Sequence, residues 1–174
     1  MLLDFFNIVC NLKKVPRQGW IDKLGLKKPE SVSDHTFSMT MMGLIFSEIK
    51  KLDSQKVLKM CLIHDLAESI TGDLTPEQIS KDEKRVLEKN TMEQILNKLP
   101  ENIKTQFLDS WNEFLERNTP EAKLVHEIDK LEMVLQAKIY EKSNGVDVTS
   151  FLESSEKEIK YLELKELFRK ITEQ

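Results

Sequence analysis

One imidazole and two carboxylates, His64, Asp65 and Glu68, sit in an otherwise apolar run. At 100° per residue, Val57, Leu58, Met60, Cys61, Leu62, Ile63, Leu66 and Ala67 point in nearly every direction around a helix axis, so the spacing predicts a helix with little surface in water. His64 and Glu68 are four residues apart and Asp65 and Glu68 three. All three would therefore project from one side, together with Val57 and Cys61. Such groups are costly to bury unless they are paired or bound to a cation. A metal ion is the simplest compensation.

Two further residues are candidates for the same ion. His35 falls in the first turn of an expected second helix, and Asp129 lies mid-helix beside a stripe of Leu124, Ile128, Leu131 and Leu135. Two imidazoles and two carboxylates from three helices form a mixed N/O set. It suits octahedral Mn²⁺, Co²⁺, Ni²⁺, Fe²⁺ or Mg²⁺ with positions left for water or substrate, and favours Zn²⁺ less. Taken singly, His35 reads as an ordinary surface or core histidine and Asp129 as a solvated neighbour of Lys130. His126 has no evident partner and reads as structural, and Trp111 reads as packing.

The elements that must position these groups are helical. Apolar residues at 2, 5, 6, 9 and 12 mark one face of a first helix, followed by a turn-forming segment at 15–20 and a polar loop to Pro29. A second helix starts at Ser31 or Ser33 and carries an apolar stripe of Phe37, Met41, Leu44, Ile45 and Ile49. Asp53 or Ser54 caps the third, which ends near Thr71-Gly72-Asp73; a loop runs to Ile79. Ser80 and Glu83 form a capping box that opens a fourth helix to about Leu99, and Pro100 opens a fifth to about Asn118. Thr119-Pro120 starts a helix that runs to Asn144-Gly145, and one or two more follow from about Thr149. The expected fold is all-α, one compact domain over 1–174 with six to eight helices.

Composition agrees with this. Among 174 residues only five are Gly and five Pro, and the net charge is −4. A phosphate-backbone binder usually carries a basic excess, so a nucleic-acid partner is not expected. Cys10 and Cys61 lie in apolar helical stretches and read as buried thiols in a reducing compartment. The apolar N-terminus is short and interrupted by Asp4, fitting neither a signal peptide nor a membrane span. A cytoplasmic protein is expected.

The order His35, His64-Asp65, Asp129 resembles the HD superfamily of metal-dependent phosphohydrolases. The likeness extends to Val15-Pro16-Arg17-Gln18-Gly19-Trp20, Pro29-Glu30-Ser31-Val32-Ser33-Asp34-His35, Ile63-His64-Asp65-Leu66-Ala67-Glu68 and Thr71-Gly72-Asp73-Leu74. With the block from Asp129 to Ala137, these look like the HD-domain 5′-deoxynucleotidase family. That resemblance implies a divalent cation held by His35, His64, Asp65 and Asp129, and hydrolysis of a (deoxy)nucleoside 5′-monophosphate to nucleoside and phosphate. It implies that Arg17 orients the phosphate through two parallel N–H···O contacts. Glu68 would either hold or deprotonate the attacking water or assist a second cation. Asp73 would either protonate the leaving 5′-oxygen or join Glu68 on that cation, to which Leu74 could add its backbone carbonyl. Asp65 and Asp73 would also touch substrate, and Trp20 would line the sugar-and-base pocket. Some bacterial relatives have Arg and Trp adjacent, whereas Gln18-Gly19 separates them here.

The resemblance further implies a homodimer. Two other readings compete: another HD phosphohydrolase, acting on a guanosine polyphosphate or nucleotide analogue, and a non-catalytic helical module with a structural metal. The chain has only three histidines, which argues against a histidine-rich two-metal phosphodiesterase. A triphosphohydrolase would want more basic residues near the site than Arg17, and none is evident from the sequence.

Overall fold

Local capping chemistry sets most of the helix boundaries. In the computed structural model, which describes residues 2–173, the chain forms α1 (Leu2–Asn11), α2 (Gln18–Leu24), α3 (Val32–Lys50), α4 (Ser54–Ile63) and α5 (Glu68–Thr71). It continues through α6 (Lys81–Leu96), α7 (Glu101–Glu116), α8 (Pro120–Asn144), α9 (Thr149–Glu156) and α10 (Leu162–Thr172). Eight of these helices have eight residues or more, within the expected number, and no strand occurs among the described residues. Met1 and Gln174, the ends of the expected domain, lie outside the described residues. Ser31 with Asp34 and Ser80 with Glu83 each close a reciprocal capping box, while Asp53 and Thr119 accept the amides of Lys56 and Ala122.

Helix α8 is the organising element and packs against α3, α4, α7, α9 and α10. Its Leu124, Ile128, Leu131 and Val134 join Met39, Phe46, Met60 and Phe168 in the main core. A second cluster gathers Phe5, Leu12, Ile63, Met92 and Trp111, so Trp111 packs as expected. Trp20, Ala137 and Phe151 anchor a third.

The helices α3 and α4 meet at Gly43. A Cβ there would lie 2.9 Å from Cys61 Sγ and 3.1 Å from Val57 Cγ1. Alanine would gain roughly 1 kcal/mol of helix propensity but force two buried side chains apart, so Gly43→Ala is expected to destabilise the fold by a net ~1–2 kcal/mol. A lower urea midpoint with an unchanged slope checks this.

Five expectations are corrected. The third helix is not continuous: α4 stops at Ile63, residues 64–67 form turns, and α5 follows. Leu66 and Glu68 donate to the carbonyls three residues back, Ile63 and Asp65, which tightens the chain there, and Leu62 and Ile70 face water. The polar loop before Pro29 contains α2, because the Asp73 carboxylate accepts the Gln18 amide at 2.8 Å from 55 residues away. The apolar stripe of α3 does not enter the core. Phe37, Met41, Ile45 and Ile49 are exposed, while His35, Met39, Gly43, Phe46 and Ser47 face inward. Cys10 is exposed; Cys61 is buried as expected. The face of α1 is likewise divided, with Phe5 and Leu12 buried and Leu2, Phe6 and Val9 exposed.

Candidate metal and phosphate site

His35, in the first turn of α3, is fully buried. Its Nδ1–H donates to Glu132 Oε2 at 2.5 Å, which turns Nε2 toward Asp129 Oδ1, 3.3 Å away. His64 ends α4, and its Nδ1–H donates to the carbonyl of Cys61 at 2.8 Å. Its Nε2 is thereby turned the other way, toward Asp65 Oδ2 at 3.0 Å. The two rings meet edge to face with centroids 5.5 Å apart. One ligand atom from each of His35, His64 and Asp129 lies within 4.8 Å of the others. Both Nε2 atoms are buried without a hydrogen-bond partner among the described residues.

Two orphaned imidazole nitrogens beside a carboxylate are what a divalent cation would satisfy, and a hydrogen-bonded core would not leave them so. The residues fit the ion. Glu30 and Glu132 also cluster with His35, but Glu132 accepts from His35 and Glu30 accepts the Trp20 Nε1–H at 2.9 Å. They act as supports behind the ligands. Glu132→Gln is expected to weaken metal affinity by about 10–100-fold, measured by Mn²⁺ titration, because the carboxylate sets the tautomer and orientation of His35.

Asp65 and Arg17 complete the inner cluster. Asp65 Oδ2 lies 3.0 Å from His64 Nε2 and 3.3 Å from Arg17 Nη1. The isolated bridge between Pro16 and Ser31, with Arg17 N–H donating to the Glu30 carbonyl, brings the Arg17 segment beside the start of α3. Burial alone would raise the Asp65 carboxyl, but His64 and Arg17 outweigh it and hold it well below the usual carboxylate range. Burial likewise opposes the Arg17 charge, and Asp65, Asp129, Asp73 and Glu68 more than restore it. Asp129 pairs with Lys130 at 3.0 Å; burial would raise its carboxyl, but Lys130 and His35 keep it well below its ordinary value.

Glu68 is buried, and that burial, followed by the charges of Asp65 and Asp73, pushes its carboxyl well above the ordinary range. Leu74 contributes its carbonyl, as an acceptor from Lys84 Nζ at 2.9 Å. Trp20 is 2% exposed, packed on Phe151 and Tyr140 with centroids 4.5 and 5.4 Å away. It forms part of the wall of a cavity of about 310 Å³ that also reaches Arg17, Asp73, Leu74, Met133 and Phe151. On the other side of the ligands, a cavity of about 450 Å³ touches His64, Asp65 and Asp129 and is walled by Lys81, Lys84, Arg85 and Arg117. A larger space, about 550 Å³, lies behind His126 and contains none of the candidate ligands. His126 does have a partner: its Nε2–H donates to the Phe114 carbonyl at 2.8 Å, and burial lowers its pKa to about 4.

Sequence reasoning missed Glu132 and Lys84 as members of the site. Glu132 stands three residues beyond Asp129 and so shares its helix face, which was a usable signal. Lys84 lies in the charge run after Ser80 and reads as solvated surface. The basic wall was missed in the same way, since Arg117 comes from a different helix end.

The HD domain pattern matches residues 9–170 of the chain. The 5′-deoxynucleotidase HDDC2 of Dictyostelium discoideum is 43% identical over 166 residues, 88% of this chain and 87% of that protein. Its namesake in Danio rerio is 38% identical, covering 99% of this chain and 87% of that one. The crystal structure of the PH0347 protein from Pyrococcus horikoshii OT3 superimposes with a TM-score of 0.77 at 34% identity, over 98% of this chain and 96% of that one. By these matches the chain belongs to the HD domain family and, within it, to the HD-domain 5′-deoxynucleotidases.

Proposed function

We propose that residues 1–174 form a single HD-type domain, a metal-dependent 5′-deoxynucleotidase that hydrolyses deoxynucleoside 5′-monophosphates to nucleoside and inorganic phosphate. The observation that carries this is the pair of orphaned Nε2 atoms facing Asp129, beside a buried guanidinium. His35, His64, Asp65 and Asp129 hold the divalent cation, with Mn²⁺, Co²⁺ or Mg²⁺ the favoured ions and Ni²⁺, Fe²⁺ or Zn²⁺ acceptable to the same donors. When bound, the cation supplies Lewis acidity and charge neutralisation at the phosphate.

The chain's own groups do the rest. Arg17 donates N–H groups to phosphate oxygens and fixes their orientation. A carboxylate pushed up as Glu68 is makes a stronger base than an exposed one, suited to take the proton of the attacking water as its oxygen bonds to phosphorus. Asp73 relays a proton from solvent to the 5′-oxygen as the P–O bond breaks, and Glu68 releases to solvent the proton it took from water, which resets both. Trp20, Met133 and Phe151 offer an apolar wall to the sugar and base. An apolar wall rejects an added hydroxyl only weakly, so preference for deoxy over ribo substrates is expected to stay within about 10²-fold.

The test is phosphate release from the four deoxy- and four ribonucleoside 5′-monophosphates with Mn²⁺, Co²⁺ or Mg²⁺ and an EDTA control. EDTA-sensitive release favouring the deoxy series supports the reading; no release from any monophosphate overturns it. The basic wall of Lys81, Lys84, Arg85 and Arg117 favours one second reading, a nucleotide carrying more than one phosphate, such as a guanosine polyphosphate. Including such compounds in the panel decides between them.

No helix among the described residues is long and apolar enough to cross a membrane, and a cytoplasmic enzyme is proposed. The partner proposed for the exposed stripe of Phe37, Met41, Ile45 and Ile49, one turn apart along α3, is a second copy of the chain. Sedimentation equilibrium should then give twice the 20.3 kDa chain mass.

A further inference from the structure

Glu68, Asp73 and the Leu74 carbonyl together resemble a second cation position next to the first. An ammonium already stands there. Lys84, projecting from the first turn of α6, donates from Nζ to the Leu74 carbonyl at 2.9 Å and lies 3.5 Å from Glu68 Oε1 and 3.6 Å from Glu88 Oε1. Asp73 Oδ2 accepts the Gln18 amide at 2.8 Å. Glu68 Oε2 is a buried carboxylate oxygen that accepts no hydrogen bond among the described residues. A free carboxylate oxygen attracts a cation, and a six-coordinate ion needs several more ligands. A second divalent ion would also have to enter beside an ammonium that carbonyl and carboxylate hold in place, with the guanidinium of Arg17 nearby.

We propose that Lys84 is the resident cation of the Glu68–Asp73–Leu74 cluster, so that the enzyme takes one divalent ion and uses an ammonium where a second metal would otherwise sit. This rests on the metal reading of the His35–His64–Asp129 centre given above. Lys84 ties the loop carrying Asp73 and Leu74 to α6 and keeps its charge beside Glu68. It also lines both cavities beside the site, the one with Arg17 and the apolar wall and the one with His64, Asp65 and Asp129. Its role is positioning and charge balance.

The experiment is Mn²⁺ binding to the purified chain, with stoichiometry from equilibrium dialysis and ion pairing from electron paramagnetic resonance. Wild type, Lys84→Met and Lys84→Arg are compared, with circular dichroism to confirm that each is folded. One isolated Mn²⁺ per wild-type chain, a second and spin-coupled Mn²⁺ in Lys84→Met, and a return to one in Lys84→Arg are expected. A coupled pair in the wild type, or no additional ion in a folded Lys84→Met, overturns the proposal. A wild type that binds no Mn²⁺ overturns both this proposal and the metal reading beneath it.

Discussion

Replacing His64 with alanine is expected to lower kcat/KM for deoxynucleoside monophosphates by on the order of 10³-fold or more, while helical circular dichroism changes little. His64 stands at the end of α4, so its truncation keeps the bond from its amide to the Met60 carbonyl and removes only the ring's bond to the Cys61 carbonyl. What disappears is one of the two buried nitrogens that face Asp129. Losing several kcal/mol of charge stabilisation at the phosphate corresponds to at least three factors of ten in rate. Metal analysis of the purified variant should show the ion depleted. A variant that unfolds instead would favour a metal with a purely structural role.

Arg17→Ala is expected to cost about 10²–10³-fold in kcat/KM, the usual size of losing a preorganised donor to a developing oxyanion. It should also destabilise the fold, because the guanidinium is the buried counter-charge to Asp65 and acts on Asp73, Glu68 and Asp129. The sign with pH follows from those carboxylates. Asp65 is held below its ordinary range, so its contribution is present at neutral pH and is lost as pH falls through its folded value. The stability gap between wild type and Arg17→Ala should therefore be widest near neutrality and narrow in acid. Arg17→Lys restores the charge but not the planar pair of N–H donors. It should recover melting temperature more fully than kcat, and equal recovery of both would argue against a two-pronged phosphate contact.

The parts of the fold that were legible in the sequence are those whose signals are local. The Ser80–Glu83 box, Thr119-Pro120 with Gly145, and Ser31 as one of two caps offered for α3, bound α6, α8 and α3 because each cap lies within a few residues of what it caps. Helix α2 was not legible, since its N-terminal amide is satisfied by Asp73 from across the fold. The break after Ile63 was hidden too, for residues 57–68 contain no Gly, Pro or Asn to announce it. The exposed stripe on α3 shows the limit of reading burial from hydrophobicity. The inward face of that helix carries His35, Gly43 and Ser47 because close approach to α4 and the site outweighs apolar content. For the candidate site, residue type and order singled out His35, His64 and Asp129, and the fold brings these three side chains together. Lys84 was not, because a lysine in a charged run becomes a site residue only when the loop at Leu74 folds back against it.

Gly43 and Cys61 give the site a mechanical property. Cys61 presses its sulfur toward the bare backbone of α3 and, through its carbonyl, holds the ring of His64. Two turns back along the same α3 stands His35. The contact at Gly43 therefore works as a spacer that sets how far apart the two imidazoles are carried. Any side chain at 43, or a bulkier one at 61, would wedge α3 from α4 and be felt in how tightly both rings can grip one ion. Interior packing in this protein is a gauge for coordination distance.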